Sequence, residues 1–378
     1  MDPSLRMNRG SRAALAASLL VALVTISAGL RGPALAASKS TNPPPQGELT
    51  QYTYTSTLGS RTYLLHMPAG APPKPLPMVV FLHGCNESAQ QAAIATHFDT
   101  LADQLGFVVV YPQQNVTTDS SAPLADGNGI GCWNWFLPED QQAGSGEPGI
   151  LAGLTQQAAT IAQVDTNRIY VEGVSAGADM AVILGATYPR LYAAVGVLAG
   201  CAYRTCGDTS GAATHQAMGA SARIVPMFIE NGTADTLNNM GMATGLLTSW
   251  IGSDNLAGNG GIPTDSVSPV PSAVETHGTD QTPKPLSGDA CVHNESFTCP
   301  GGVVGFQGTY PYTVSRYTDT LGCDVLEFWA IHGMEHAHPD AAGDGPYTDP
   351  LGPDISAASY QFFMHHSLNS SAGPGGCG

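Results

Sequence analysis

Short apolar runs closed by turn residues recur along this chain, at positions 80–82, 107–111, 168–171, 193–198, 224–230 and 325–331. Runs of this kind, apolar at nearly every position, are what strands buried on both faces require. Longer stretches with helical spacing lie between several of them, at 89–105, 149–163 and 178–188. Strand alternating with helix predicts an α/β domain, a mostly parallel central sheet with helices on both faces. Ahead of it, 51–57 and 61–67 flank Leu58-Gly59-Ser60 and read as an antiparallel hairpin.

Two regions depart from that alternation. Residues 252–311 are rich in Gly, Pro, Ser and Thr, carry Cys291 and Cys299, and show little helical periodicity. They read as an insertion between the last two strands, either a flap over an active site or a stapled surface excursion. Residues 1–36 have a basic leader (Arg6, Arg9, Arg12), an apolar stretch at 13–30 and a small-residue cleavage site, Ala34-Leu35-Ala36. That order is a secretory signal. An uncleaved anchor is the competing reading, disfavoured by the Pro- and Ser-rich linker at 37–50. The expected organisation is therefore signal 1–36, linker 37–50, catalytic domain 51–366 containing the 252–311 insertion, and tail 367–378. The expected product is a secreted, extracellular monomer.

Charge narrows the partners. The chain has 13 Lys and Arg against 30 Asp and Glu, a net charge of −17, and loss of 1–36 removes four Arg and one Asp to leave −20. So acidic a surface excludes nucleic acid and anionic membranes and suits a neutral substrate. Eight cysteines in an exported chain predict disulfides, with Cys201/Cys206 and Cys291/Cys299 close enough to close small loops. No Cys-x-x-Cys is present, and no metal or cofactor is expected.

Chemistry enters at Gly173-Val174-Ser175-Ala176-Gly177, between a strand and an apolar helix. Gly-x-Ser-x-Gly in that setting is a nucleophile elbow, whose tight turn lifts the serine hydroxyl clear of the sheet. A serine alcohol needs a base, and the base needs a carboxylate to orient it. Following the order serine, acid, histidine, Asp235 lies just past the 224–230 strand and His336 just past the 325–331 strand. Asp208 is the alternative acid, and His332 and His338 the alternative bases. The Ala176 N–H is one expected oxyanion donor. The Cys85 N–H, in Leu82-His83-Gly84-Cys85 after an early strand, is the other, with His83 in a structural role.

Four segments together resemble the polyhydroxybutyrate depolymerase family of esterases, which includes feruloyl and acetylxylan esterases. They are Leu82-His83-Gly84-Cys85, Gly131-Cys132-Trp133-Asn134-Trp135-Phe136, Gly173-Val174-Ser175-Ala176-Gly177 and Gly333-Met334-Glu335-His336-Ala337-His338-Pro339. The resemblance covers roughly 55–366. It implies the α/β-hydrolase fold, a Ser175–Asp235–His336 triad and an oxyanion hole at Cys85 and Ala176. It also implies a Cys85–Cys132 disulfide pinning the oxyanion loop, with Trp133 and Trp135 lining the substrate cleft unless they are core aromatics. His338 stands where the family carries Trp, which implies a reshaped acyl or alcohol pocket. The leading functional expectation is a secreted serine ester hydrolase cleaving poly(3-hydroxyalkanoate) through an acyl-enzyme. A feruloyl or acetylxylan esterase is the alternative, and a catalytically inactive binding protein on the same fold the remote one.

Overall fold

The hairpin formed by Leu49–Ser56 (β1) and Gly59–His66 (β2) pairs from Leu49↔His66 to Ser56↔Gly59, so the strand begins inside the expected linker. The apolar runs become Met78–Leu82 (β3), Val108–Pro112 (β4), Ile169–Val174 (β5), Ala194–Leu198 (β6) and Met227–Gly232 (β7), buried at every position. Further strands are Ala273–His277 (β8), Thr298–Cys299 (β9), Val303–Val304 (β10), Tyr312–Thr318 (β11), Asp324–Ile331 (β12), His338–Pro339 (β13) and Thr348–Asp349 (β14). This computed structural model describes residues 46–70, 75–117, 127–258, 266–278, 310–340 and 345–369, with the strand backbones at 298–299 and 303–304. The signal at 1–36, most of the linker, most of 279–309 and the end of the tail lie outside the described residues.

Ten strands form one sheet in the order β1-β2-β4-β3-β5-β6-β7-β12-β11-β8. The six central strands run parallel, while β1–β2 at one edge and β11–β8 at the other are antiparallel. Burial follows position. Central strands are covered on both sides, whereas β1 and β8 alternate.

Seven helices cover the sheet: Ala89–Thr96 (α1), Phe98–Leu105 (α2), Gly146–Ala162 (α3), Ala176–Thr187 (α4), Ala212–Met218 (α5), Met240–Ala257 (α6) and Ile355–Met364 (α7). Because side chains alternate along a strand, each central strand feeds two cores. Val80, Val171 and Ile229 pack with Leu151, Met180 and Trp250 of α3, α4 and α6. Val79, Tyr170 and Phe228 face the other way, onto Phe98, Leu101 and Phe362 of α2 and α7. Helices on both faces of a mostly parallel sheet make this an α/β-hydrolase fold.

Three expectations need correction. The single helix at 89–105 is two helices, broken at His97, which adopts φ 49°. The elbow turn is shorter than expected, since β5 runs to Val174 and α4 starts at Ala176. Residues 252–257 complete α6, anchored by the Trp250 indole N–H donating to Val225 O at 2.8 Å. The 252–311 segment is thus not one excursion, because β8 within it joins the sheet beside β11. No helix among the described residues is long and apolar enough to cross a membrane.

Candidate active site

Ser175 occupies the single-residue turn between β5 and α4 at φ 56°, ψ −124°, a conformation costly for a residue with a Cβ, on the order of 1–3 kcal/mol. The surroundings enforce it. A Cβ on Gly177 would fall 2.1 Å from the Leu82 carbonyl oxygen, and one on Gly173 would fall 2.4 Å from the Gly177 carbonyl carbon. Only glycine permits that approach of backbone to backbone. Ser175 N–H donates to Leu198 O at 2.9 Å, and Ser175 O accepts from Asp179 N–H at 3.0 Å, fixing the turn to β6 and to α4.

His336 stands between the serine and an aspartate. Its Nε2 lies 3.0 Å from Ser175 Oγ and its Nδ1 lies 2.7 Å from Asp235 Oδ2. Asp235 is buried, and its Oδ1 accepts the N–H groups of Leu237 and Asn238 at 2.8 and 2.9 Å, which fixes the carboxylate's rotation. The loops carrying Asp235 and His336 follow neighbouring parallel strands, β7 and β12, and are laced together. Thr233 N–H donates to Ile331 O, Ala234 N–H to Met334 O, and Gly333 N–H to Thr233 Oγ1, at 2.8, 2.9 and 2.9 Å.

The alternatives are engaged elsewhere. The Asp208 carboxylate accepts four hydrogen bonds from Ser210, Gly211 and Thr214 at the start of α5. His332 Nε2 lies 2.8 Å from Thr313 Oγ1. His338 is buried, its ring edge-on to Phe81 at 5.9 Å, and burial lowers its pKa to about 4. It therefore belongs to the packing behind the histidine loop, and the expectation that it shapes a substrate pocket is corrected.

The expected oxyanion loop runs alongside the nucleophile. A Cβ on Gly84 would meet Ser175 Cβ at 3.5 Å, so the chain passes Ser175 at van der Waals distance. The next residue, Cys85, is disulfide-bonded to Cys132, with Cα atoms 4.2 Å apart. Ala176 is the first residue of α4, where a backbone N–H has no intrahelical acceptor.

Beneath the loop, His83 Nε2 accepts Gln114 N–H at 3.1 Å, so the Nδ1–H donates to Gly84 O at 2.7 Å. Burial lowers the His83 pKa to about 4, keeping the ring neutral. Trp133 is fully buried, and its indole N–H donates to His83 O at 3.0 Å. It props up the loop from the core, correcting the expectation that it lines the cleft. Trp135 is half-buried, edge-on to Phe136, which is 45% exposed. The second expected small-loop disulfide, Cys201–Cys206, is present. The expected Cys291–Cys299 pairing lies outside the described side chains.

Several buried carboxyls escaped the sequence reading because a single acidic residue, whether in a polar stretch (Glu87, Glu147) or an apolar run (Glu172, Glu230), carries no spacing signal. Glu87 accepts Gly84 N–H at 2.5 Å, and burial raises its pKa to about 7. Glu147 accepts from Arg61 at 3.0 Å and from Asn134 N–H at 2.7 Å, and also from Gln114. Glu172 on β5 accepts Ser359 O–H at 2.9 Å, and burial pushes it up to about 8. Glu230 on β7 is held well above the usual range, by burial first and then by the charge of Asp235. Both effects favour its protonated form. Among the described residues no group of three His, Cys, Asp or Glu is arranged to hold a metal ion.

Comparison with known proteins agrees with this architecture. The family described as "Esterase PHB depolymerase" matches residues 61–264. Poly(3-hydroxyalkanoate) depolymerase C of Paucimonas lemoignei is 28% identical over 76% of this chain and 61% of its own length. Poly(3-hydroxybutyrate) depolymerase of Ralstonia pickettii is 26% identical over 85% of this chain and 61% of its own. The chain thus spans about three fifths of the length of these two relatives. The solved acetyl xylan esterase from Aspergillus awamori superposes with a TM-score of 0.53 over 76% of this chain and 94% of that one, at 18% identity, a likeness of fold. With more than half of its residues inside the matched segment, the chain belongs to the esterase PHB depolymerase family.

Proposed function

We propose that this protein is an exported serine carboxylic-ester hydrolase that cleaves poly(3-hydroxyalkanoate), poly(3-hydroxybutyrate) above all. The reading is carried by His336 placed within hydrogen-bond reach of both Ser175 Oγ and Asp235 Oδ2, at 3.0 and 2.7 Å. Ser175 attacks the ester carbonyl as its proton passes to His336 Nε2. Asp235 keeps the Nδ1–H in place and stabilises the imidazolium. The carbonyl oxygen, now negative, is held by the N–H groups of Cys85 and Ala176, and each such donor is worth roughly 3 kcal/mol. His336 then hands its proton to the departing alcohol, leaving an acyl-enzyme. Water, deprotonated by the same histidine, releases the acid and restores Ser175.

The polyester is favoured because the two depolymerase relatives align with 76% and 85% of this chain. A net charge of −17 also suits a neutral polymer. Export is favoured by the leader at 1–36 and by disulfides such as Cys85–Cys132 and Cys201–Cys206. An acetylxylan or feruloyl esterase is the second reading. It draws on acetylxylan esterase relatives such as that of Neosartorya fischeri, 31% identical over 42% of this chain.

The test offers purified protein a poly(3-hydroxybutyrate) suspension, acetylated xylan and methyl ferulate in parallel. Clearing with release of hydroxybutyrate is the expected result, with Ser175→Ala losing at least ~10³-fold in turnover while staying folded. Acetate or ferulate release without clearing transfers the protein to the second reading. Near-normal turnover in Ser175→Ala overturns the mechanism.

A further inference from the structure

A second concavity, of about 700 Å³, opens between the one-turn helix Pro138–Gln141, the end of α4 and α5. Neither Ser175, Asp235 nor His336 lines it. Thr187, the last residue of α4, does, which puts that wall about 18 Å along the helix from the serine at ~1.5 Å per residue. Its remaining wall mixes small apolar residues, Ala143, Ala213 and Ala217 among them, with Tyr203, Arg204 and the exposed Phe136.

The charge of this wall is unlike that of the chain as a whole. The protein has 30 acidic residues against 13 basic ones, yet the cavity lining holds one cation, Arg204, and no carboxylate. Three of the other arginines pair with carboxylates, Arg61 with Glu147, Arg168 with Asp165, and Arg316 with Glu275 and Glu327, while Arg190 is exposed outside the cavity lining. Arg223 spends its donors on the carbonyls of Pro189, Tyr192, Ala193 and Ile224. Arg204 is exposed and pairs with no carboxylate among the described residues. Asp208, the acid nearest in sequence, accepts four hydrogen bonds, and on the rim helix Asp140 accepts the Glu147 N–H at 2.5 Å while Glu139 is exposed without lining the cavity.

The backbone holds this arginine in an uncommon way. Arg204, Thr205 and Cys206 are consecutive left-handed residues, at φ 62°, 55° and 63°, and none is glycine. Such a run is unfavourable for residues with a Cβ and persists only where its surroundings dictate it. The Cys201–Cys206 disulfide closes the loop, while Cys206, Gly207 and Asp208 donate N–H groups to Ala202, Arg204 and Tyr203, each at 2.9 Å. Gln141 ties the opposite rim, its side chain donating to Trp135 O and its carbonyl accepting the Tyr203 hydroxyl.

We propose that this cavity is a second binding site, apart from the catalytic serine, for a carboxylate borne on an otherwise uncharged chain, with Arg204 as its anion partner. The ligand sources rest on the ester-hydrolase reading above. They are the free-acid end of a hydroxyalkanoate chain, or a uronic acid substituent on xylan. Either would be repelled by most of this acidic surface and received here.

Calorimetric titration of the full-length Ser175→Ala protein, which cannot turn ligand over, tests this. The two ligand pairs are a 3-hydroxybutyrate trimer acid against its methyl ester, and an aldouronic acid against the matching neutral xylo-oligosaccharide. In one pair the acid should bind roughly tenfold tighter at low salt, as expected for one charge-assisted hydrogen-bonded pair, and that pair names the source. Arg204→Gln should abolish the preference, and Arg204→Lys should restore part of it. Equal affinities within both pairs, absence of binding by either acid, or a preference that survives Arg204→Gln overturns the proposal. On a Ser175 background, Arg204→Gln should hydrolyse a short soluble ester at an unchanged rate. Carboxylate preference in a protein inactive on every ester would refute the hydrolase reading and leave this site standing.

Discussion

Removing the Cys85–Cys132 bridge, as Cys85→Ala with Cys132→Ala, perturbs stability and turnover by separable amounts. The bridge spans a sequence separation of 47, for which the chain-entropy relation gives about 4 kcal/mol of lost stability at 25 °C. Against a typical domain stability of ~5–15 kcal/mol, most of the protein stays folded at low temperature. The effect on turnover follows from position. Gly84, next to Cys85, would meet Ser175 Cβ at 3.5 Å through an added Cβ, so loop slack moves an N–H within the reacting shell. Without the bridge, the bond from Asn86 N–H to Ile130 O at 2.8 Å and the Trp133–His83 bond at 3.0 Å still tether the loop. Partial displacement of an oxyanion donor should therefore lower kcat by roughly 10- to 100-fold, short of the ~10²–10³ for outright loss. Urea unfolding gives the first number, and kcat on a soluble short ester well below the unfolding midpoint gives the second. A stability loss under about 1 kcal/mol with kcat unchanged refutes the reasoning, because the hydrogen bonds alone would then position the loop.

Three further outcomes follow from the same geometry. Glu172 has a folded-state pKa of about 8 against an ordinary 4.5, so the folded protein keeps a proton that the unfolded chain releases. Its contribution is full below 4.5 and lost as pH rises to 8; Glu172→Gln should flatten stability against pH by about 1.4 kcal/mol per unit there, read by urea melts at several pH values. Gly177→Ala places a Cβ 2.1 Å from Leu82 O, and should cost roughly 3 kcal/mol and about 100-fold in turnover. Wild-type kinetics and melting would show that the elbow tolerates a methyl group. Trp133→Phe leaves the buried His83 carbonyl without its donor, for a loss of about 1–3 kcal/mol in the same unfolding assay.

The central strands were legible because burial on both faces leaves an unmistakable apolar run, as at β3 and β4. The edge strand β8 was not: Ala-Val-Glu-Thr-His alternates weakly and sits among Pro and Ser. Gly252 looked like the start of a loop, yet it sits inside α6 because the helix passes within backbone contact of the start of α5. A Cβ there would fall 2.1 Å from Ser210 O. That Ser175, Asp235 and His336 lie together was legible from chain order, since parallel strands deliver their following loops to one end of the sheet. Trp133 and His338 were misplaced for a shared reason. An aromatic or imidazole ring beside a motif reads alike whether it faces solvent or core, and only the indole bond to His83 and the packing on Phe81 distinguish them.

The junction of β8 with β11 gives the fold room to diversify. His277 is the register partner of Tyr312, so the polypeptide leaves the sheet and returns to it at a single point on its outer edge. The pairing of β7 with β12, whose following loops carry Asp235 and His336, is made by other strands than β8. Loop-closure entropy rises by only about 0.6 kcal/mol for each doubling of length. A lineage can lengthen, shorten or exchange that stretch at little thermodynamic cost, and a protein engineer can use the same place as a graft point for a surface-binding module.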